Sequence, residues 1–231
     1  YKLVTGVQTC ALPILKGAVG LGVVYGIAIL SQAAGLIKAY PDVVERAKLV
    51  LAFKKSTGLS ILYGSPDKLD GGIPTYVMWR IMGTLIVIAA IWAITVTTRL
   101  MRGDEELGRH ELVLSKNTTP LRITLNVVAA ISTALGIQLA IMSLITMGSN
   151  TAKGVSFSIG DAVLLSATIL AGAILFGGIS MLTSQLYASR RRAALSASVV
   201  LMIMFVLRGA IGINKDLSWA RFISPLTWLE N

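Results

Sequence analysis

Apolar residues fall into five long runs: Leu15 to Leu36, Tyr76 to Thr98, Ile123 to Met147, Gly160 to Tyr187 and Ala193 to Ile213. A helix needs about 20 mostly apolar residues to cross the hydrocarbon core of a bilayer. Each run is long enough, so the pattern predicts an all-α, polytopic transmembrane bundle with about five spans. Tyr76, Trp79 and Arg80 stand at the start of the second run, where interfacial anchors belong. Arg80 is expected to snorkel to the headgroups. Gly22 and Gly26 form a GxxxG pair in the first run, spaced to let another helix approach closely. Asn126, Ser132, Thr133 and Gln138 in the third run are expected to bond to other helices. Ala171, Gly172, Gly177 and Gly178 make the fourth run rich in small residues, and Asp161 is expected to N-cap it.

The intervals differ in kind. In 39–75, Pro41 is expected to start a short helix, with Asp42 and Glu45 near its positive end. Val43, Val44, Ala47, Val50, Leu51 and Phe53 would form its apolar face, opposed by Glu45, Arg46, Lys48 and Lys54, as in an interfacial helix. Gly58, Gly64 to Asp67 and Asp70 to Gly72 mark the rest as loop, serving as a connector or as a cap over a release path. The 99–122 interval is the most charged stretch of the chain. Asp104 to Leu114 has the spacing of a short helix, with Glu105 and Arg109 at i,i+4 and Pro120 closing the element. From pattern alone it is either a solvated loop that sets topology or a docking element. Arg190, Arg191 and Arg192 separate the last two runs, and Arg208 stands near the far end of the fifth. Asp216 to Trp228 reads as an aromatic interfacial segment leading toward a sixth span.

Composition agrees with the pattern. The chain is 55% hydrophobic and 14% charged, with a mean hydropathy of +0.75, against about 25% charged residues in soluble domains. The net charge of +10 raises nucleic acid as a partner. However, the basic residues flank apolar runs and no aromatic platform interleaves them, so membrane lipids are the expected partner and nucleic acid is not. Cys10 and His110 are the only residues of their types, which leaves no disulfide framework and no histidine metal cluster. Val4 to Ile14, VTGVQTCALPI, resembles codon for codon the translation of a common short-read sequencing adapter. Residues 1–14 are therefore expected to be non-native and are set aside, leaving 15–231 as one transmembrane domain whose natural termini are expected to lie elsewhere.

Basic residues orient the topology. Lys16, the arginines of 99–122 and the Arg190 triplet fall on one side if five helices alternate, and Lys153 stands alone in the short opposite loop. The positive-inside rule puts the charged loop in the cytoplasm. Lys38, Arg46, Lys48, Lys54, Lys55 and Lys68, in or beside 39–75, oppose this, but longer segments obey the rule less well. No GxSxG elbow, P-loop or pair of intramembrane carboxylates occurs. Without intramembrane acids a proton-coupled cycle has no carriers, so energy for transport is expected from elsewhere.

Three features in order carry a family resemblance. Glu105-Glu106-Leu107-Gly108-Arg109-His110-Glu111-Leu112 is followed by Pro120 and Arg122, then by the Arg190 to Arg192 turn, then by Trp219, Ser224, Pro225 and Trp228. This order resembles the membrane subunit of ABC-2-type exporters, particularly antibiotic (polyketide-type) exporters. The spacing to Pro120 is longer than in that pattern. The resemblance implies a permease of a bacterial cell membrane that moves a small amphiphilic, drug-like compound outward. ATP and magnesium would be bound by separate ABC ATPase subunits, and no cofactor by this chain. Glu105, Glu106, Gly108, Arg109 and Glu111 would form the ATPase-coupling helix. Arg190, Arg191 and Arg192 would be a cytoplasmic anchor, and Trp219, Ser224, Pro225 and Trp228 an external interfacial segment. It also implies an N-terminal, six-span half that works with a second permease half or another permease copy. A different class, a non-transporting membrane scaffold or sensory subunit, fits the same hydropathy.

Overall fold

A computed structural model describes residues 4–56, 58, 59, 63, 69, 70, 72–103, 120–148, 150, 157–213 and 226. Its helices are α1 (Val4–Ala39), α2 (Val43–Lys55), α3 (Ile73–Thr98), α4 (Pro120–Gly148), α5 (Ile159–Leu186) and α6 (Arg190–Ile213). A π-helical turn, Arg99–Gly103, continues α3. All but α2 contain a stretch long and apolar enough to cross a membrane. The fold is the expected all-α polytopic bundle.

Local chemistry moves several boundaries. α3 begins at Ile73, inside the interval expected to be loop, because Pro74 is tolerated in a first turn where backbone N–H groups lack helical partners. Asp70 secures that start: it accepts from the Gly72 N–H at 2.7 Å and from the Thr75 hydroxyl. α4 starts at Pro120, so this proline opens the span rather than closing the loop before it. At α5 the N-cap is Ser158, not Asp161. Ser158 Oγ accepts from the Asp161 N–H at 3.0 Å, and Asp161 Oδ2 accepts from the Ser158 N–H at 3.0 Å, a reciprocal capping box. The arginine triplet does not end the fourth span but forms the first turn of α6, where Ser189 Oγ accepts from the Arg192 N–H at 3.3 Å.

Two tight seams hold the bundle. α3 runs parallel to α5, meeting it where a Cβ on Gly172 would lie 2.5 Å from Ile86 Cγ2 and one on Gly177 3.8 Å from Ala93 Cβ. α1 runs parallel to α4 through the expected GxxxG pair: a Cβ on Gly22 would lie 3.3 Å from Ile141 Cβ, and one on Gly26 2.8 Å from Ile145 Cβ. The first four spans thus pair most closely with the next but one, whereas α6 lies against α5 and α3. Lipid tails are as apolar as leucine, so close packing rather than exclusion of water draws such helices together.

Side-chain hydrogen bonding across helices is sparser than expected in α4. Asn126 and Ser132 are exposed, and Thr133 donates to Ala129 O of its own helix at 2.8 Å. Gln138 is buried, yet its amide has no partner. α2 also departs from expectation. Leu49, Val50 and Phe53 turn inward, whereas Val44 and Leu51 are 65% and 60% exposed beside Lys48, Lys54 and Lys55. The apolar residues of α2 are divided between two faces, because Phe53 is claimed by the rings at the start of α3.

Gly172→Ala is expected to weaken the bundle by about 1–3 kcal/mol, the usual range for overpacking. Ile86→Ala removes the opposing methyl, so the double variant should lose less than the sum of the singles. Thermal unfolding of all four proteins in one detergent checks this. A second expectation concerns Asp70, whose carboxyl is held below its ordinary range chiefly by the Thr75 hydroxyl and next by the Gly72 N–H, against a smaller desolvation effect. A depressed folded-state pKa makes the carboxylate stabilising above its unfolded value, and that contribution disappears as pH falls through the folded value. Asp70→Asn should therefore melt earlier than wild type at neutral pH, with the gap closing below about pH 4. A gap independent of pH would contradict the assignment.

Candidate functional site

The charged loop leaves the bundle at Gly103 and re-enters at Pro120, and the structure builds a cationic platform around its root. At the end of α3 the helix widens into the π turn, a distortion frequently found where helices carry function. The turn packs against α4, α5 and α6 together. Arg102 Nε donates to the Ser184 carbonyl in the last turn of α5. The free carbonyls at a helix C-terminus are its negative pole, so a guanidinium there both satisfies an acceptor and complements the dipole. A Cβ on Gly103 would lie 3.9 Å from Arg190 Cδ, placing the turn against the first turn of α6. Arg99 and Arg102 thus share one end of the bundle with Arg190, Arg191 and Arg192, as alternating spans required.

Behind this platform lies a layer of hydroxyls. Thr97, Thr98, Ser180, Thr183 and Ser184 are buried where α3 and α5 meet. Thr98 donates to Ile94 O at 2.8 Å, Ser180 to Phe176 O at 2.7 Å and Thr183 to Ser180 O at 3.2 Å. Such bonds to the preceding turn satisfy a hydroxyl within its own helix and favour bending. Thr97 Oγ1 and Ser184 Oγ have no partner.

The opposite end is aromatic. The Trp79 ring centroid lies 5.1 Å from that of Phe53, 5.3 Å from Tyr63 and 6.4 Å from Tyr76. The Arg80 guanidinium sits 4.3 Å from the Tyr63 ring centroid. Arg80 is half-buried and held by a cation–π contact, where sequence reasoning gave it only a free headgroup-seeking role. α2 is thereby fixed to the start of α3.

Of the residues singled out beforehand, Arg190, Arg191 and Arg192 are brought to the platform. Glu105, Glu106, Gly108, Arg109 and Glu111 lie outside the described residues, as do Trp219, Ser224, Pro225 and Trp228. Sequence reasoning missed the cap that Arg102 places on α5. Its signal was the position of Arg102, just beyond an apolar run that ends in two threonines.

Arg102→Ala should loosen the last turn of α5. Amide exchange at Leu186 and Tyr187 is expected to quicken about fivefold, while exchange in the middle of α5 stays unchanged. Equal protection in the variant and wild type would remove the cap from the account.

Neither the curated proteins nor the solved structures contain a match to this chain. A family model described as the multidrug efflux system permease Rv1217c, C-terminal domain, matches residues 63–231. The match covers α3 through α6, the π turn and the arginine platform. Because it is to a C-terminal domain, it gives no support to reading the chain as an N-terminal half. Five apolar helices and a match over most of the chain make this a multi-pass membrane protein of a transport-permease type. The chain belongs to the family of the multidrug efflux permease C-terminal domain.

Proposed function

We propose that this chain is the membrane-spanning permease subunit of an ATP-driven ABC exporter in a bacterial cell membrane. It moves a small, amphiphilic, drug-like compound outward, with ATP and magnesium held by a separate ATPase. The observation that carries this reading is the arginine platform at the root of the charged loop. Arg102 ties that root to α5, and the turn also abuts α4 and α6. A force applied to the loop therefore reaches four spans at once: α3 and α4 at its two ends, and α5 and α6 through the turn.

The supply of energy from outside follows from the spans themselves. Among the described residues, the helices long enough to cross carry one acid, Asp161, and the capping box places it at a helix start. Among the described residues, no acid is positioned mid-span to carry protons through a transport cycle. The excess of arginine around the loop supports a cytoplasmic placement, where an ATPase would be found. Within the loop, Glu105, Glu106 and Glu111 present acids to a partner, with Gly108 and Arg109 between them. A second permease domain or copy would complete the pathway.

Affinity purification of the full chain with its ATPase partner tests the reading. Reversing Glu105, Glu106 and Glu111 to lysine should reduce the ATPase retained by at least about tenfold, equivalent to about 1.4 kcal/mol of binding. Undiminished retention in a folded variant would dismiss the loop as the docking element. Unchanged drug susceptibility on deletion of the protein would favour the scaffold class instead.

A further inference from the structure

Several hydroxyls of the spans are satisfied within their own helix. Thr95, Thr133, Ser166, Thr168 and Ser180 each donate to a carbonyl four residues earlier. Two larger polar side chains are not. Tyr25 on α1 and Gln138 on α4 are both fully buried, and neither the phenolic oxygen nor either amide atom has a hydrogen-bond partner. Gln138 belongs to the α1–α4 seam, and Tyr25 borders it. A Cβ on Gly22 would lie 3.4 Å from Gln138 Cα, and Tyr25 sits in the turn between Gly22 and Gly26. Gly17, on another face of α1, would place its Cβ 3.6 Å from Trp92 Nε1 of α3. Tyr25 therefore lies between the line of α1 that meets α4 and the line that meets α3.

Phenylalanine and leucine would fill these positions without stranding a donor or acceptor in an apolar interior. We infer that the α1–α4 seam is a ligand-binding cleft, in which Tyr25 and Gln138 take the hydroxyl and carbonyl groups of a neutral amphiphile. The inference rests on the permease reading and names the class of compound moved. The glycine–isoleucine contacts of the closed seam are apolar, so parting the helices at these positions breaks no polar contact. Tyr25 supplies a donor and an acceptor, and Gln138 two donors and an acceptor. Ala18 and Ile29 of α1 and Ala134, Leu135 and Met142 of α4 are buried on the same two helices and supply apolar surface. None of these residues is a carboxylate or a permanent cation, so the cleft selects neutral ligands and has no counter-charge for a cationic one.

The test uses the full chain in lipid nanodiscs, with tritiated hydrocortisone as a neutral probe rich in hydroxyl and carbonyl groups and tetraphenylphosphonium as a cation lacking them. Hydrocortisone should bind saturably and resist competition by tetraphenylphosphonium. Tyr25→Phe and Gln138→Leu should each weaken binding about three- to tenfold, the range for one lost hydrogen bond, without lowering the melting temperature. In a Cys10→Ser background, Gly22→Cys with Ile141→Cys brings two Cβ positions close to the ~3.5–4.5 Å span of a disulfide. Oxidation should abolish binding and a reductant should restore it. Absence of saturable binding, unchanged affinity in both single variants, or full binding to the cross-linked chain would each overturn the inference. The ATPase test stands apart: loss of coupling with seam binding intact removes the ABC reading and leaves the cleft, and the reverse result removes the cleft alone.

Discussion

Contact between a helix backbone and a neighbour's side chain, without a Cβ between them, is the constraint on which this bundle depends. Inside a bilayer every backbone polar group must be satisfied within its own segment, so each crossing is helical before it has any neighbour. What remains is to choose neighbours, and apolar surface alone does not choose among lipid and helix. Gly172 against Ile86 and Gly26 against Ile145 do so through shape. These contacts give two parallel pairs, α1 with α4 and α3 with α5. α6 then lies against α3 and α5, with Arg190 beside the π turn.

The ends of the bundle are built on different physics. The aromatic end joins α2 to α3 through the Phe53, Tyr76 and Trp79 rings and seats Tyr63 under the Arg80 guanidinium, groups suited to an interface that is apolar on one side and wet on the other. The arginine end works against its own helix. Three arginines occupy the first turn of α6, the pole of the helix dipole that disfavours cations. Ser189 satisfies a backbone donor there but leaves the charge in place. A sequence chosen only for helix stability would not put them there. Their position sets them beside the neighbouring π turn, while Arg102 at the C-terminal pole of α5 gains from the dipole.

The spans were legible because hydropathy over about 20 residues reflects the solvent, and that signal survives without knowledge of packing. The GxxxG pair was legible as a contact but not as to its partner, since nothing local to Gly22 and Gly26 points to Ile141 and Ile145. Helix starts were misjudged at Pro120 and Arg190 because a proline and charges were treated as boundaries, although a first turn tolerates both, and at Ile73 because the Asp70 to Gly72 turn was carried three residues too far. Asp161 was recognised as part of a cap, but the roles within a capping box depend on a three-residue register with Ser158. The π turn and the reach of Arg102 to a carbonyl 82 positions away have no periodic signature. The polar residues of α4 were the least legible. Asn126, Ser132, Thr133 and Gln138 look alike as hydrogen-bonding candidates, and only helix rotation separates the exposed from the buried.

The next-but-one pairing of spans has a consequence for how the protein is made. Gly22 and Gly26 emerge into the membrane well before Ile141 and Ile145, more than a hundred residues downstream. At roughly 5–20 residues per second, α1 waits on the order of ten seconds for the helix that covers its glycine face. During that interval the face meets lipid, an insertion factor or α3. The order in which helices leave the translocon is thus part of what selects the native bundle, and a pause in synthesis before α4 would lengthen the time in which α1 can associate wrongly.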